Sequence, residues 1–190
     1  LIVIACNTAT TNSISYLRQN YKIPFIGIEP AIKPAALNTK TGKIGVLATN
    51  GTLGSNLFEK TSTLHGQNIE IIEKQVNGLV ELIEKGIFSG SKIDILLEKY
   101  ITPMINIGID KLVLGCTHYP LVINSIEKIT KKTIEVLECS HPVALQTKKI
   151  LCSLNLENLE KTEIKNIFYT NGNDNILKAM LDEKFEIFKI

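Results

Sequence analysis

Short apolar runs alternate along this chain with stretches whose apolar residues recur every three or four positions. The runs Leu1–Ala5, Phe25–Ile28, Lys43–Thr49, Ile69–Glu73, Lys111–Gly115, Ile134–Leu137 and Ile164–Tyr169 predict strands. Several are apolar almost throughout, as strands buried on both faces are. Helical spacing covers Thr11–Asn20, Ala31–Asn38, Leu53–Leu64, Leu79–Lys85, Lys92–Ile107, Leu121–Lys131, Pro142–Leu154 and Ile176–Phe185. This alternation predicts an α/β fold. Two similar lobes are expected, each with a mainly parallel sheet flanked by helices and with an active site in the cleft between them.

The segment Gly27-Ile-Glu-Pro30-Ala-Ile-Lys-Pro34 places two prolines just after a strand. Pro30 suits the first turn of a helix. Pro34 is expected to kink or reset that helix and so to mark a crossover between lobes. The first lobe is expected at residues 1–28 plus 139–190 and the second at 29–138. Leu1 already lies inside a strand pattern, and a buried parallel strand needs neighbours on both edges. An N-terminal portion is therefore expected to be missing from the first lobe.

Composition narrows the function classes. The chain has 190 residues, 44% hydrophobic and 21% charged, with a formal net charge of +2. That near-neutral balance argues against nucleic acid or an anionic membrane as the main partner. The densest basic stretch, Thr130-Lys-Lys-Thr133, reads as a solvated helix end. No apolar run approaches the ~18 residues of a membrane span, and no signal-peptide pattern opens the chain, so a cytoplasmic protein is expected. Cys6, Cys116, Cys139 and Cys152 lack the close spacing of a zinc site. A disulfide framework is equally unexpected in a chain this rich in regular structure.

Two of those cysteines end strands. Leu1-Ile-Val-Ile-Ala-Cys6-Asn7-Thr8-Ala-Thr10 and Lys111-Leu-Val-Leu-Gly115-Cys116-Thr117-His118-Tyr119-Pro120 each stop at a thiol, with a helix about to begin. The carboxyl ends of strands are where ligands sit in open α/β sheets. At such a turn, free N–H groups and the helix dipole bind anions and lower a thiol's pKa. Asn7 and Thr8 add an amide and a hydroxyl, although Cys6 could equally be an inert thiol beside a Thr8 or Thr10 helix cap. A cysteine phosphatase would need arginine at the position of Asn12, and no Walker-type Gly-Lys-Ser/Thr occurs. His118 lies two residues from Cys116, within reach as a proton partner or as a local helix-start contact. Thr49 and Thr52 line a third strand-to-helix turn, where Thr52 alternatively caps the helix from Leu53. Glu84 ends a short amphipathic helix, as solvated glutamates also do. His65, His141, Cys139 and Cys152 have no polar turn motif and read as surface or helix-packing residues.

Two thiols on opposite faces of one small molecule suit the inversion of a stereocentre. A thiolate removes an acidic hydrogen from one face and a thiol delivers another from the other. Developing carbanion charge then needs preorganised N–H donors in a water-poor site. No pyridoxal phosphate site is evident, because Lys33, the only lysine near a candidate loop, sits between two prolines.

The motifs Ile-Ala-Cys6-Asn7-Thr8-Ala-Thr10 and Leu-Gly-Cys116-Thr117-His118-Tyr119-Pro120 resemble the two signatures of bacterial glutamate racemases. Supporting matches are Gly27-Ile-Glu-Pro30-Ala-Ile-Lys-Pro34-Ala and Val46-Leu-Ala-Thr49-Asn-Gly-Thr52. The resemblance implies an isomerase without a cofactor that interconverts L- and D-glutamate and supplies D-glutamate for peptidoglycan. By that resemblance Cys6 and Cys116 are the acid/base pair, with Glu84 and His118 as a supporting pair near Cys116. Asn7, Thr8, Thr117 and His118 bind the amino acid's polar groups, and Thr49 and Thr52 face its side-chain carboxylate. Glutamate is the implied partner and a homodimer a possible assembly.

The chain departs from the family's pattern at its start. An Asp-Ser-Gly stretch that assists the first cysteine and a Pro-Tyr-Gly turn are both absent, so activity is expected to be impaired. Gln75-Val76-Asn77 also replaces a frequent Cys-Pro pair. Two alternatives stay open: an aspartate or hydantoin racemase of the same superfamily, and a non-catalytic anion-binding α/β module.

Overall fold

The computed structural model describes residues 1–66, 68–159, 165–181 and 185–190. β1 (Ile2–Ile4), α1 (Asn7–Asn20) and β2 (Phe25–Gly27) form an opening unit. α2 (Ile32–Asn38) leads to β3 (Lys43–Ala48), the single turn α3 (Asn50–Leu53), α4 (Asn56–His65) and β4 (Glu70–Gln75). α5 (Leu79–Ile83) and α6 (Ser91–Ile107) precede β5 (Lys111–Gly115). A 3-10 turn at Tyr119–Val122 then enters α7 (Ile123–Thr130), followed by β6 (Glu135–Leu137) and α8 (Ser140–Ser153). The described chain closes with β7 (Ile167–Thr170), α9 (Asp174–Met180) and β8 (Glu186–Lys189).

Every strand pair among the described residues is parallel. Among the described residues β1 pairs with β2, β7 with β8, and the central sheet has the order β4-β3-β5-β6. Parallel pairing requires a crossover between neighbours, and the helical segments supply it. The expected α/β class with parallel sheets flanked by helices holds.

The two inner strands β3 and β5 are buried on both faces, and their apolar runs divide by the two-residue period of a strand. Leu47, Leu112 and Leu114 join Leu79, Ile83, Ile93, Leu97, Ile101 and Met104 on one side, under α5 and α6. Ile44, Val46, Ala48 and Val113 join Ile32, Ala35 and Phe58 on the other, under α2 and α4. Ile93, Leu97, Ile101 and Met104 form the inward stripe of α6 and are fully buried, as its three-and-four spacing demands. Each such side chain contributes about 1.5–3 kcal/mol by leaving water.

Strand order fixes where a ligand belongs. From β3 the chain moves outward to β4, then crosses back to β5 on the other side of β3. That reversal makes a topological switch point between β3 and β5, and the crevice beyond their carboxyl ends is the expected binding position. The residues that emerge there are Thr49 and Cys116.

Several expected boundaries differ. α1 begins at Asn7 rather than Thr11, directly after Cys6. The expected single helix Leu53–Leu64 is two helices, and Ser55, not Thr52, caps the longer one by accepting the Phe58 N–H at 3.2 Å. Pro34 does not reset α2, which runs through it as one helix. It occupies the third helical position, where the missing N–H has no intrahelical partner to lose. Leu121–Lys131 starts earlier, in the turn at Tyr119. β8 had no strong apolar pattern and was not expected. Of the predicted strand from Ile164 and the predicted helix to Phe185, residues 164 and 182–184 lie outside the described residues.

Candidate active site

The pairing of β3 with β5 places Ala48 opposite Gly115, so Thr49 and Cys116 leave the sheet side by side. Gly115 makes this approach possible. A Cβ on it would lie 2.8 Å from Ala48 Cβ and 3.1 Å from the Leu47 carbonyl oxygen. Beyond Gly115 the chain turns at once, the Tyr119 N–H donating to the Cys116 carbonyl at 3.1 Å. Cys116 is only 8% exposed, its thiol set against the opening of the 3-10 turn.

The first strand delivers Cys6 in a similar way. Cys6 occupies the N-cap of α1, and its thiol accepts the Ala9 N–H at 3.5 Å. Thr10 pins the surrounding turn, donating to the Ile4 carbonyl at 3.0 Å and accepting the Ile28 N–H at 3.1 Å. One buried threonine therefore ties the ends of β1 and β2 together. Unlike Cys116, Cys6 is exposed.

Three threonine hydroxyls meet between these segments. Thr8 Oγ1 lies 2.7 Å from Thr49 Oγ1 and 3.0 Å from Thr52 Oγ1, and the latter two are 3.2 Å apart. The cluster joins residues far apart in sequence into one polar patch, with Thr52 fully buried and Thr8 and Thr49 part-exposed. Hydroxyls that bond one another in this way can turn their hydrogens toward an arriving carboxylate.

The thiols are electrostatically coupled. Burial pushes the Cys116 thiol up from its ordinary value of 9.0, while the His118 and Tyr119 N–H groups pull it down. The charge of Cys6 pushes Cys116 up further, so the two stand close enough to repel when both ionise. Since only the thiolate alkylates, a raised pKa leaves less reactive Cys116 at neutral pH. Iodoacetamide labelling of Cys116 is expected to keep accelerating above pH 9.0. A rate that levels off below that pH contradicts the assignment.

The remaining expected residues fall into place around Cys116 or apart from it. His118 Nδ1 lies 3.8 Å from Cys116 Sγ, and His118 Nε2 pairs with Glu84 Oε1 at 2.5 Å. A carboxylate–imidazole–thiol chain results, with the His118 side chain 30% exposed. Asn7 is 2% exposed, and its Oδ1 is a buried acceptor with no donor. Thr117 lines a cavity with Val3, Ala5, Ile28, Ser140 and Val143, beside the strand that ends at Cys6. Cys139 is a buried thiol at the start of α8 that burial pushes up to about 12, and Cys152 is exposed. His65 and His141 lie in α4 and α8, away from both thiols in sequence. No group of three or more His, Cys, Asp or Glu among the described residues is arranged to hold a metal ion, and none of the described helices is long and apolar enough to cross a membrane.

Sequence reasoning missed Asn12, which appeared only as the residue that excludes a phosphatase loop. Its Nδ2 reaches the Thr8 carbonyl at 2.8 Å and the Gly51 carbonyl at 2.9 Å. The signal available was its position four residues after Thr8, on the same face of α1.

The chain is similar to several known proteins. The Asp/Glu/hydantoin racemase family model matches residues 1–141. A glutamate racemase of Herpetosiphon aurantiacus is 36% identical over 172 residues, covering 90% of this chain and 68% of that protein. A glutamate racemase of a Roseiflexus species is 38% identical over 80% of this chain, which spans 56% of that relative's length. Among solved structures, Escherichia coli glutamate racemase in complex with L-glutamate and the activator UDP-MurNAc-Ala superposes with a TM-score of 0.82 at 28% identity, over 98% of this chain and 72% of that one. Francisella tularensis glutamate racemase in complex with D-glutamate gives 0.82 at 26% identity, over 100% and 72%.

Proposed function

This chain belongs to the Asp/Glu/hydantoin racemase family, and from that premise we propose that it carries out two-thiol interconversion of L- and D-glutamate without a cofactor. The observation that carries the proposal is geometric: the Thr8–Thr49–Thr52 cluster holds the Cys6 turn against the carboxyl ends of β3 and β5, where Cys116 emerges. A base facing an acid needs one cysteine as thiolate and the other as thiol.

The thiolate of one cysteine takes the Cα hydrogen of glutamate, so that an S–H bond forms, the C–H bond breaks and the electron pair passes into the α-carboxylate. The opposite thiol gives its proton to the other face of Cα and becomes the thiolate. The next turnover in the reverse direction starts from that exchanged state. N–H groups at the starts of α1 and the 3-10 turn, together with the Thr8–Thr49–Thr52 hydroxyls, supply donors for the substrate's carboxylates. The unsatisfied Asn7 Oδ1 suits the substrate ammonium, whose donors it lacks in the free protein. Glu84 holds His118 beside Cys116, where the imidazole can pass or keep a proton at Sγ.

In this reading Cys6 belongs to a lobe of residues 1–28 plus 139–190 and Cys116 to a lobe of 29–138. The separate β1–β2 and β4-β3-β5-β6 sheets support that division. The same reading takes D-glutamate into peptidoglycan, the protein into the cytoplasm and a homodimer as its possible assembly. The test is proton NMR of each glutamate enantiomer incubated with the full chain in D2O. Slow loss of the Cα signal from both, with inversion, is expected, in line with the impaired activity anticipated from the sequence. No exchange from either enantiomer rejects the proposal, and faster exchange into aspartate reassigns the substrate.

A further inference from the structure

We infer that Asn12 is a positioning residue that holds the hydroxyl cluster in register for a substrate carboxylate. The inference rests on the racemase reading above and extends it to a side chain outside the two cysteine motifs. Asn12 lies one turn beyond Thr8 on α1, and its amide nitrogen bridges two carbonyls, Thr8 O at 2.8 Å and Gly51 O at 2.9 Å. Thr11 Oγ1 lies 3.3 Å from the same nitrogen. One carbonyl belongs to the helix that carries Thr8, the other to the turn between Thr49 and Thr52. Asn12 thus fastens together the two backbone segments whose hydroxyls meet.

The packing beside it allows little play. A Cβ on Gly51 would fall 2.6 Å from Thr8 Cγ2, so the Thr8 methyl already rests on the Gly51 backbone. With the methyl seated there, Thr8 Oγ1 is directed to Thr49 and Thr52 at 2.7 and 3.0 Å. Without the Asn12 bridge, the contact keeps only the methyl packing and hydroxyl–hydroxyl bonds, which free threonines exchange for water. Asn12 itself is exposed and belongs to neither buried cluster, so its substitution separates positioning from folding.

The experiment measures kcat and KM for glutamate in the full chain with Asn12→Ala, Thr8→Val and both together. Loss of two bridging hydrogen bonds is expected to raise KM about fivefold with kcat changed less than about twofold. If Asn12 acts through Thr8, Asn12→Ala adds less than about twofold in the Thr8→Val background, because coupled residues are non-additive. Should Asn12→Ala fail to fold, Asn12→Asp keeps the shape while removing the donor, and it is expected to raise KM by at least as much. An unchanged KM, or a full effect persisting in the Thr8→Val background, overturns the inference while the racemase reading stands. A wild-type protein that neither exchanges nor inverts glutamate overturns both.

Discussion

Alanine at either Cys6 or Cys116 is expected to lower racemisation of both glutamate enantiomers by at least about 10³-fold, within the range that general acid–base groups contribute. Neither substitution spares a direction, because each direction uses one thiol as base and the other as acid. Circular dichroism of the glutamate solution follows inversion directly. The single remaining thiol can still remove and return a hydrogen on its own face, so slow solvent exchange of one enantiomer without inversion is compatible with the mechanism. Inversion within about tenfold of wild type in either variant is not, since a two-base scheme cannot lose a base so cheaply. The two variants also differ structurally. Cys6 is exposed and its alanine leaves the α1 N-cap without the thiol acceptor, whereas Cys116 is buried against the 3-10 turn.

Valine at Gly115 has the next largest expected effect, and it acts on fold and site together. A Cβ at this position meets Ala48 Cβ at 2.8 Å, the Leu47 carbonyl oxygen at 3.1 Å and Pro30 Cγ at 3.3 Å. Two of these are on the neighbouring strand β3 and cannot swing aside as a flexible side chain would. The added bulk must push β5 away from β3, loosening a ladder buried on both faces. Overpacking of this kind costs about 3 kcal/mol, which for a chain of this size corresponds to roughly 6–12 °C in melting temperature. The same displacement separates Thr49 from Cys116, so kcat/KM for glutamate is expected to fall even at temperatures where the variant remains folded. Calorimetry with assays well below the transition checks both parts. A melting temperature within about 2 °C of wild type, with full activity, means that the close approach at Gly115 is dispensable.

Much of the chemistry was legible because strand ends leave local marks. The run Lys111–Gly115 coincides with β5 to the residue, since Leu112–Leu114 are apolar on both faces and a glycine before a thiol marks the end. The Cys6 and Cys116 turns, His118, Thr8, Thr49 and Thr52 are candidates on residue type and spacing, whereas the Glu84–His118 pairing follows only from the family resemblance. Other features left no such mark. A cysteine is not a favoured N-cap, so the start of α1 was placed four residues too late. Pro34 reads as a helix breaker unless its place in the first turn is known. Asn12 carries no motif, and its role depends on a carbonyl thirty-nine positions away.

The sequence by itself determined the α/β class, the two thiol-ended strands and the kind of reaction they suit, because hydrophobic periodicity and turn chemistry are properties of neighbouring residues. Only the tertiary structure decided that β3 and β5 are adjacent, that three threonines from separate segments share one cluster, and that burial and the charge of Cys6 together raise the Cys116 thiol. Strand order, desolvation and charge coupling depend on groups brought together through space. Pairing of distant segments is set by how the whole core packs, and no local pattern encodes it.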